Sequence, residues 1–287
     1  MQATVFSPGH ISGFFQPVYH ESVYQTGSRG AGINLDHGVT ATVYLESDTV
    51  QTIDIFMDNK THSFPVVEAA VKQLLKDSLF HVRIGLSCNL PISQGFGMSA
   101  AGSLSATYAI ASLLRVPFED AWKAAHRAEI ELKTGLGDVA AAIRGGVEIR
   151  KTPGVPPLGQ VILIPGDWEI VCCTIDKSVS TSDVLSDEKV QNQVQLIGKE
   201  CTDRLLQNPS IEQLFSLSME FTRRSGLASD KILEVMDAVN PFGWCSMCML
   251  GNSVFALGDS KKISEILSSY GKVLQCSVDQ KGVRLIG

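Results

Sequence analysis

The stretch Leu90-Pro91-Ile92-Ser93-Gln94-Gly95-Phe96-Gly97-Met98-Ser99-Ala100-Ala101-Gly102-Ser103 runs from the end of an expected strand into an expected helix of small residues. Glycines in such a turn reach positive φ and let the backbone approach a ligand closely. The unbonded N–H groups of the turn and of the following helix's first turn form a site for an anion such as a phosphate. Ala100, Ala101 and Gly102 leave room beside that helix end. The Ser99 hydroxyl would stand next to the anion, where an oxygen ligand suits Mg²⁺. The same residues also suit a plain tight strand-to-helix turn. The spacing is neither the Walker pattern, which needs Gly-Lys-Ser/Thr, nor the dinucleotide fingerprint, which needs a third glycine three residues after the second.

Two acids further along could act on such an anion. Glu129 lies in an expected helix from Phe118 to Lys133 with an apolar stripe of Phe118, Trp122, Ala125 and Leu132. It falls four residues after Ala125 and three before Leu132, so it points inward with the stripe. A carboxylate there needs a cation or hydrogen bonds. A bound metal or an ion pair with Lys133 or His126 would each serve. Asp138 follows Gly135-Leu136-Gly137 and opens a short expected helix ending at Arg144. It fits an N-cap, or a general base or orienter for a hydroxyl.

The elements that must hold these groups follow from periodicity. Val39, Ala41, Val43 and Leu45 alternate with polar residues, which predicts a half-buried strand. Further strands are expected over Thr49–Asp58, ending in an Asp58-Asn59 turn, and over His81–Cys88. Helices are expected over 65–77 and 99–114, and Pro117 starts the next one. The Pro- and Gly-rich segment Thr152–Gly159 reads as a linker or exposed loop between two lobes, 1–155 and 156–287. Beyond it, strands are expected at 161–164, 169–175, 244–250 and 253–257, with helices at 187–206, 211–225, 229–239 and 261–270. A closing hairpin is expected over 272–286. Ser210 with Gln213 forms a capping box, and Gly226 a C-terminal stop. Strands and helices interleave without a strict βαβ rhythm, which favours an α+β fold.

Composition limits the function classes. The 287 residues are 44% hydrophobic, enough for a substantial core. Lys and Arg number 24 against 30 Asp and Glu, a net charge of −6, which argues against broad nucleic-acid binding. No run of 18 apolar residues is present, so no membrane span is expected. The N-terminal residues carry no basic and apolar leader, which points to a cytoplasmic chain. The seven cysteines sit mostly in apolar runs, as reduced, buried thiols do. Cys245 and Cys248 form a single C-x-x-C with no second pair to complete a zinc site.

The glycine-rich segment resembles the second motif of the GHMP kinases, Pro-x-x-x-Gly-Leu-Gly-Ser-Ser-Ala-Ala. Pro91, Gly95, Gly97, Ser99, Ala100 and Ala101 match; Phe96 replaces the leucine and Met98 the first serine, removing one hydroxyl near the phosphates. Ser7-Pro8-Gly9-His10 is similar to the first motif, Pro-Gly-Lys, and Met249-Leu250-Gly251-Asn252-Ser253 falls where the third belongs, though it is poor in glycine. Within that family, SPGHISGFF at 7–15, GSRGAGINLDHGV at 27–39 and GLGDVAAAIRGG at 135–146 resemble the archaeal branch that acts on pantoate.

The resemblance implies ATP and Mg²⁺ as cofactors, with phosphoryl transfer to the 4-hydroxyl of pantoate on the archaeal route to coenzyme A. It implies two lobes, one like ribosomal protein S5 domain 2 and one ferredoxin-like. It places ATP phosphates on Pro91, Gly95, Phe96, Gly97, Met98, Ser99, Ala100 and Ala101, the metal on Ser99 and Glu129, and catalysis on Asp138. The acceptor's carboxylate calls for a bidentate donor, and glycine-flanked Arg29 is the first candidate, Arg144 the second. His10, where several relatives have lysine, and Gly251 complete the expected substrate site. Relatives often form homodimers, so a dimer is possible; nucleic acid and membranes are not expected partners. Two other readings stand beside this one: a kinase of the same family acting on homoserine, mevalonate or shikimate, and a non-catalytic ligand-binding protein of the same fold.

Overall fold

A computed structural model describes residues 1–58, 60–175 and 188–287. Asn59 of the expected turn and Asp187 at the expected helix start lie outside the described residues. Twelve strands and eight α-helices are described: β1 (Gln2–Val18), β2 (Gly27–Ser47), β3 (Thr52–Met57), β4 (Lys60–Thr61), α1 (Pro65–Leu75), β5 (Phe80–Cys88), α2 (Met98–Leu114), α3 (Phe118–Leu132), α4 (Asp138–Arg144), β6 (Val147–Thr152), β7 (Gln160–Ile164), β8 (Glu169–Thr174), α5 (Glu188–Gln207), α6 (Ile211–Ser225), α7 (Asp230–Val239), β9 (Gly243–Met247), β10 (Ser253–Gly258), α8 (Ser260–Leu267), β11 (Lys272–Ser277) and β12 (Arg284–Leu285).

The larger sheet runs β12-β1-β2-β5-β3-β4, with β6 on the first half of β2 and β7 on β6. All its pairs are antiparallel except β3 with β5. The smaller sheet is antiparallel, in the order β11-β8-β10-β9. Interleaved helices over two mainly antiparallel sheets make the fold α+β, as the sequence pattern indicates.

Three features differ from expectation. β1 is a long strand through Pro8, Gly9, Gly13 and Pro17, residues that normally interrupt strands. It persists because β12 pairs with it only at Val5 and Phe6, so neither proline faces a strand on that side. Register shifts at Pro8/Gly9 and Ser12/Phe14 absorb the irregular backbone. Thr152–Gly159 connects β6 to β7 inside the larger sheet rather than joining lobes; the chain crosses to the smaller sheet after Ile164. The 272–286 hairpin does not form: β11 joins β8 in the smaller sheet while β12 returns to β1 in the larger.

α2 is buried along most of its length and packs against β1, β2, α1 and α3. Its alanines and glycine permit that close approach. The hydroxyls of Ser103, Ser105 and Thr107 donate to carbonyls of its own previous turn, so these polar groups are satisfied in the core. α3 packs on α1 and α2 through Ala121, Ala125 and Ala128. The larger members of the expected stripe lie at its rim. Phe118 and Leu132 are exposed, and Phe118 stacks on Tyr108 at 4.5 Å between ring centroids. Helices this close admit alanine at the contact and displace bulky side chains outward. Ser210 caps α6 by accepting from the Gln213 N–H, and Gly226 ends that helix in the left-handed region. All seven cysteines are free thiols. Among the described residues, no helix is long and apolar enough to cross a membrane.

Candidate active site

The turn after β5 delivers α2 with an open N-terminus. Gly97 is its N-cap at φ +60°, and no side chain caps the first turn. The first N–H groups of α2 therefore remain available to an anion. A Cβ on Gly97 would come within 3.2 Å of the His10 carbonyl and 3.3 Å of Asp138 Cγ. Only glycine fits both that φ and that gap. Gly95, at φ +81°, abuts Cys248, and a Cβ on Gly251 would collide with the Gln94 backbone. The turn of the third motif thus backs directly onto the glycine-rich loop. Pro91 is half-buried at the loop's entrance, while Phe96, Met98, Ala100 and Ala101 are buried and support it from the core.

Ser99, in the first turn of α2, donates its hydroxyl to Glu129 Oε1 at 2.7 Å. Glu129 is 2% exposed, and its other oxygen, Oε2, has no hydrogen-bond partner. Neither Lys133 nor His126 pairs with it; the His126 ring bonds the carbonyls of Val23 and Thr26 instead. Burial pushes the Glu129 pKa up to about 7, helped by the nearby Asp138 charge, although the Ser99 and Thr134 hydrogen bonds oppose the rise. A Cβ at Gly135 would collide with Glu129 Oε2 and lie 3.2 Å from Asp138 Oδ2. The two carboxylates therefore converge on one small space beside the start of α2.

Asp138 is the first residue of α4, and its side chain makes no capping bond. Its Oδ1 lies 2.7 Å from His10 Nδ1 on β1. Burial alone would raise its pKa; the hydrogen bond and charge of His10, with Arg150 behind, outweigh it and hold the carboxyl below its usual range. His10 Nε2 lies 3.0 Å from Glu148 Oε1 on β6. Glu148 pairs in turn with Arg150, whose Nη2 donates to Ser12 at 3.1 Å. Glu148 and Arg150 are 0% and 1% exposed. Arg150 Nε is buried without a partner and lies beside Gly137, as does Ser28 Oγ.

An apolar cavity of about 350 Å³ opens beside this cluster. Val39, Met57, His62, Phe64 and Val67 line it, and Met98, Ser99 and Gly102 of α2 close its inner end. A flat apolar group could lie there while an attached phosphate chain reached the helix terminus.

Residues 65–146, which contain the loop, Glu129 and Asp138, match the family described as GHMP kinases N terminal domain. A curated pantoate kinase from Methanospirillum hungatei is 36% identical over 293 residues, covering 99% of this chain and 96% of its own. The chain belongs to the GHMP kinases. A pantoate kinase from Methanocaldococcus jannaschii is 30% identical, covering 96% of this chain and 99% of its own. A solved structure described as a phosphotransferase related to the CoA biosynthesis pathway superposes with a TM-score of 0.91 at 27% identity, covering 100% of this chain and 99% of that one. Homoserine kinase from Cytophaga hutchinsonii shares the fold at 17% identity, with a TM-score of 0.71 over 99% of this chain and 97% of its own. As a GHMP kinase, the protein is an enzyme that uses ATP.

Of the residues expected at this GHMP kinase site, the structure brings together Gly95, Gly97, Ser99, Glu129, Asp138, His10 and Gly251. Arg29 and Arg144 stand elsewhere. On β2 the positions of Gly30 and Gly32 face Arg150 and His10, so Arg29 lies on the opposite face. Its Nη2 donates to Asp203 of α5 at 2.6 Å, its Nη1 to Gln16 at 3.1 Å and its Nε to the Lys151 carbonyl at 3.0 Å. All three donor groups are engaged structurally. Arg144 is exposed at the end of α4. The sequence reasoning missed Glu148, Arg150 and Ser28. In Val147-Glu148-Ile149-Arg150 the charged residues alternate with apolar ones, the pattern of a strand with one solvent face; here both faces are covered. The signal that could have found them is a pair of opposite charges two residues apart, directly after Gly145-Gly146.

Proposed function

We propose that the protein phosphorylates the 4-hydroxyl of pantoate with ATP, giving 4-phosphopantoate and ADP on the archaeal route to coenzyme A. Full-length likeness to pantoate kinases carries the substrate class. The convergence of the Ser99–Glu129 pair and Asp138 beside the open end of α2 carries the chemistry. In this reading the cavity takes the adenosine part of ATP, and the N–H groups of the glycine-rich loop and α2 hold its phosphates.

Phosphoryl transfer needs positioning, charge neutralisation and an orienter for the attacking hydroxyl. Glu129 Oε2 is buried and unpartnered, and the Ser99 hydroxyl lies on the same carboxylate; this hard-oxygen pair fits Mg²⁺. Bound there with ATP, the ion would offset charge on the phosphates. Asp138 spends Oδ1 on His10 and keeps Oδ2 toward the cleft, where it orients the acceptor hydroxyl and accepts its proton. Arg150, with an unpartnered Nε beside Gly137, replaces Arg29 as the proposed anchor for the acceptor carboxylate, with Ser28 beside it.

An ADP-release assay over a panel of hydroxy acids with Mg²⁺ and ATP tests this. Turnover is expected with pantoate and not with homoserine, mevalonate or shikimate. Turnover of one of those three without pantoate would overturn the assignment. Nucleotide binding without turnover of any would favour a binding protein.

A further inference from the structure

The His10 ring reaches no open space. It is 1% exposed, and both ring nitrogens are taken. Nδ1 meets Asp138 Oδ1 at 2.7 Å, and Nε2 meets Glu148 Oε1 at 3.0 Å. A carboxylate oxygen only accepts. A neutral imidazole has one donor, so it would leave one nitrogen lone pair facing a carboxylate oxygen at hydrogen-bond distance. Arg150 Nη1 also approaches Nε2, but at 3.4 Å, farther than the Glu148 oxygen, and it already donates to that same oxygen. With both acids ionised, every group is paired when both nitrogens carry protons.

We infer that His10 is a resident imidazolium, held in that state by Glu148, and that Glu148 is a positioning residue that acts through His10 to keep Asp138 ionised and aligned. The inference rests on the kinase reading of Asp138 given above. Charge balance supports it. Asp138 and Glu148 face Arg150 and His10 in one row, buried except at Asp138, and the row is neutral when His10 is protonated. Among the described residues, the other elements packed around His10 bring no titratable group. β2 presents Gly32 and Asn34, and the turn before α2 presents the Phe96 carbonyl, which accepts the His10 N–H, and Gly97. Burial by itself would favour the neutral ring, but the bonds and charges of Asp138 and Glu148 outweigh it and leave His10 above its ordinary 6.5.

The arrangement also sets a fixed positive charge against Asp138, the residue read above as the base. A lysine would supply such a charge without help; a histidine needs a second carboxylate to keep it. This accounts for a buried Glu148 that touches no cleft.

Two measurements test the inference. Nitrogen-15 NMR of the imidazoles in the intact protein, with His10 identified by its loss in His10→Lys, reads protonation without using activity. Protons on both His10 nitrogens at about pH 7.5, above the usual histidine pKa, are expected. A neutral ring there overturns the inference and leaves the proposed reaction untouched. The second is the pH profile of kcat. Glu148→Gln should lower the alkaline limb by about one pH unit or more, a loss of about tenfold near pH 8 relative to its own maximum. His10→Lys should move that limb upward. A Glu148→Gln profile scaled down but unchanged in shape would make Glu148 merely structural and overturn its role.

Discussion

Glu129→Gln should make the ligand-free protein more stable above neutral pH while removing its Mg²⁺-dependent activity. Glu129 is buried, and its pKa is raised from an ordinary 4.5 to about 7, chiefly by desolvation. The neutral form is therefore favoured in the folded state. Below pH 4.5 the carboxyl is protonated both folded and unfolded, and the site costs nothing extra. As pH rises through that window the unfolded chain ionises first, and the folded state loses stability until about pH 7. At about 1.4 kcal/mol for each tenfold, the full loss is about 3 kcal/mol. Glutamine keeps an oxygen for the Ser99 hydroxyl and removes the charge beside Asp138. For a chain of this size the gain corresponds to about 5–10 °C in Tm. Thermal unfolding at pH 8 and pH 5, without Mg²⁺ or ATP, reads it directly. The stabilisation should appear at pH 8 and fade at pH 5. Mg²⁺ with ATP should raise the Tm of the parent protein more than that of the variant. A variant no more stable than its parent at pH 8, or equally stabilised at pH 5, would refute the claim that an unpaired buried charge is kept there for a cation.

Other perturbations separate the remaining roles. Asp138→Asn should lower kcat about 10²–10⁴-fold while the KM for ATP stays near normal, measured by ADP release. Ser99→Ala should raise the Mg²⁺ concentration needed for half-maximal rate, read by metal titration at fixed ATP, because one of the two proposed oxygen ligands is lost. Arg150→Lys should raise the KM for the acceptor about tenfold or more, since lysine has no counterpart of the unpartnered Nε donor beside Gly137. Arg29→Ala should leave that KM unchanged and cost about 1–2 kcal/mol in urea unfolding, because it removes three hydrogen bonds made by a half-buried guanidinium, one of them to Asp203. Gly97→Ala should lower stability by about 1–2 kcal/mol and weaken ATP binding, because its φ of +60° disfavours a side chain and the new methyl would press on His10 and Asp138.

The candidate site was legible where chemistry depends on neighbours in sequence. The glycine-rich loop, the hydroxyl of Ser99 and the open end of α2 lie within a few residues of one another, so turn chemistry and helix geometry place them without help. Helical period alone also turned Glu129 inward, even though the bulky stripe that suggested it lies at the rim and alanines make the contact. Groups brought together from distant segments were not legible. His10 and Glu148 are 138 residues apart, and His10 and Asp138 are 128 apart. Their meeting depends on β1, β2 and β6 sharing one sheet and on α4 crossing its end.

Local spacing by itself determined most of the helices and the glycine-rich loop, because φ, helical period and hydrogen-bond capacity act over a few residues; it did not determine β1 or the separate fates of β11 and β12. Only the tertiary structure decided what each of two arginines meets. Arg29 has the glycine-rich surroundings of an anion binder, but strand alternation turns it toward α5, where Asp203 holds it. Arg150 has the sequence of a solvent-facing strand residue, yet both faces of its strand are covered and it faces His10 and Glu148. A strand's pleat fixes that successive side chains point to opposite sides; which side becomes a cleft depends on what the rest of the chain packs against it.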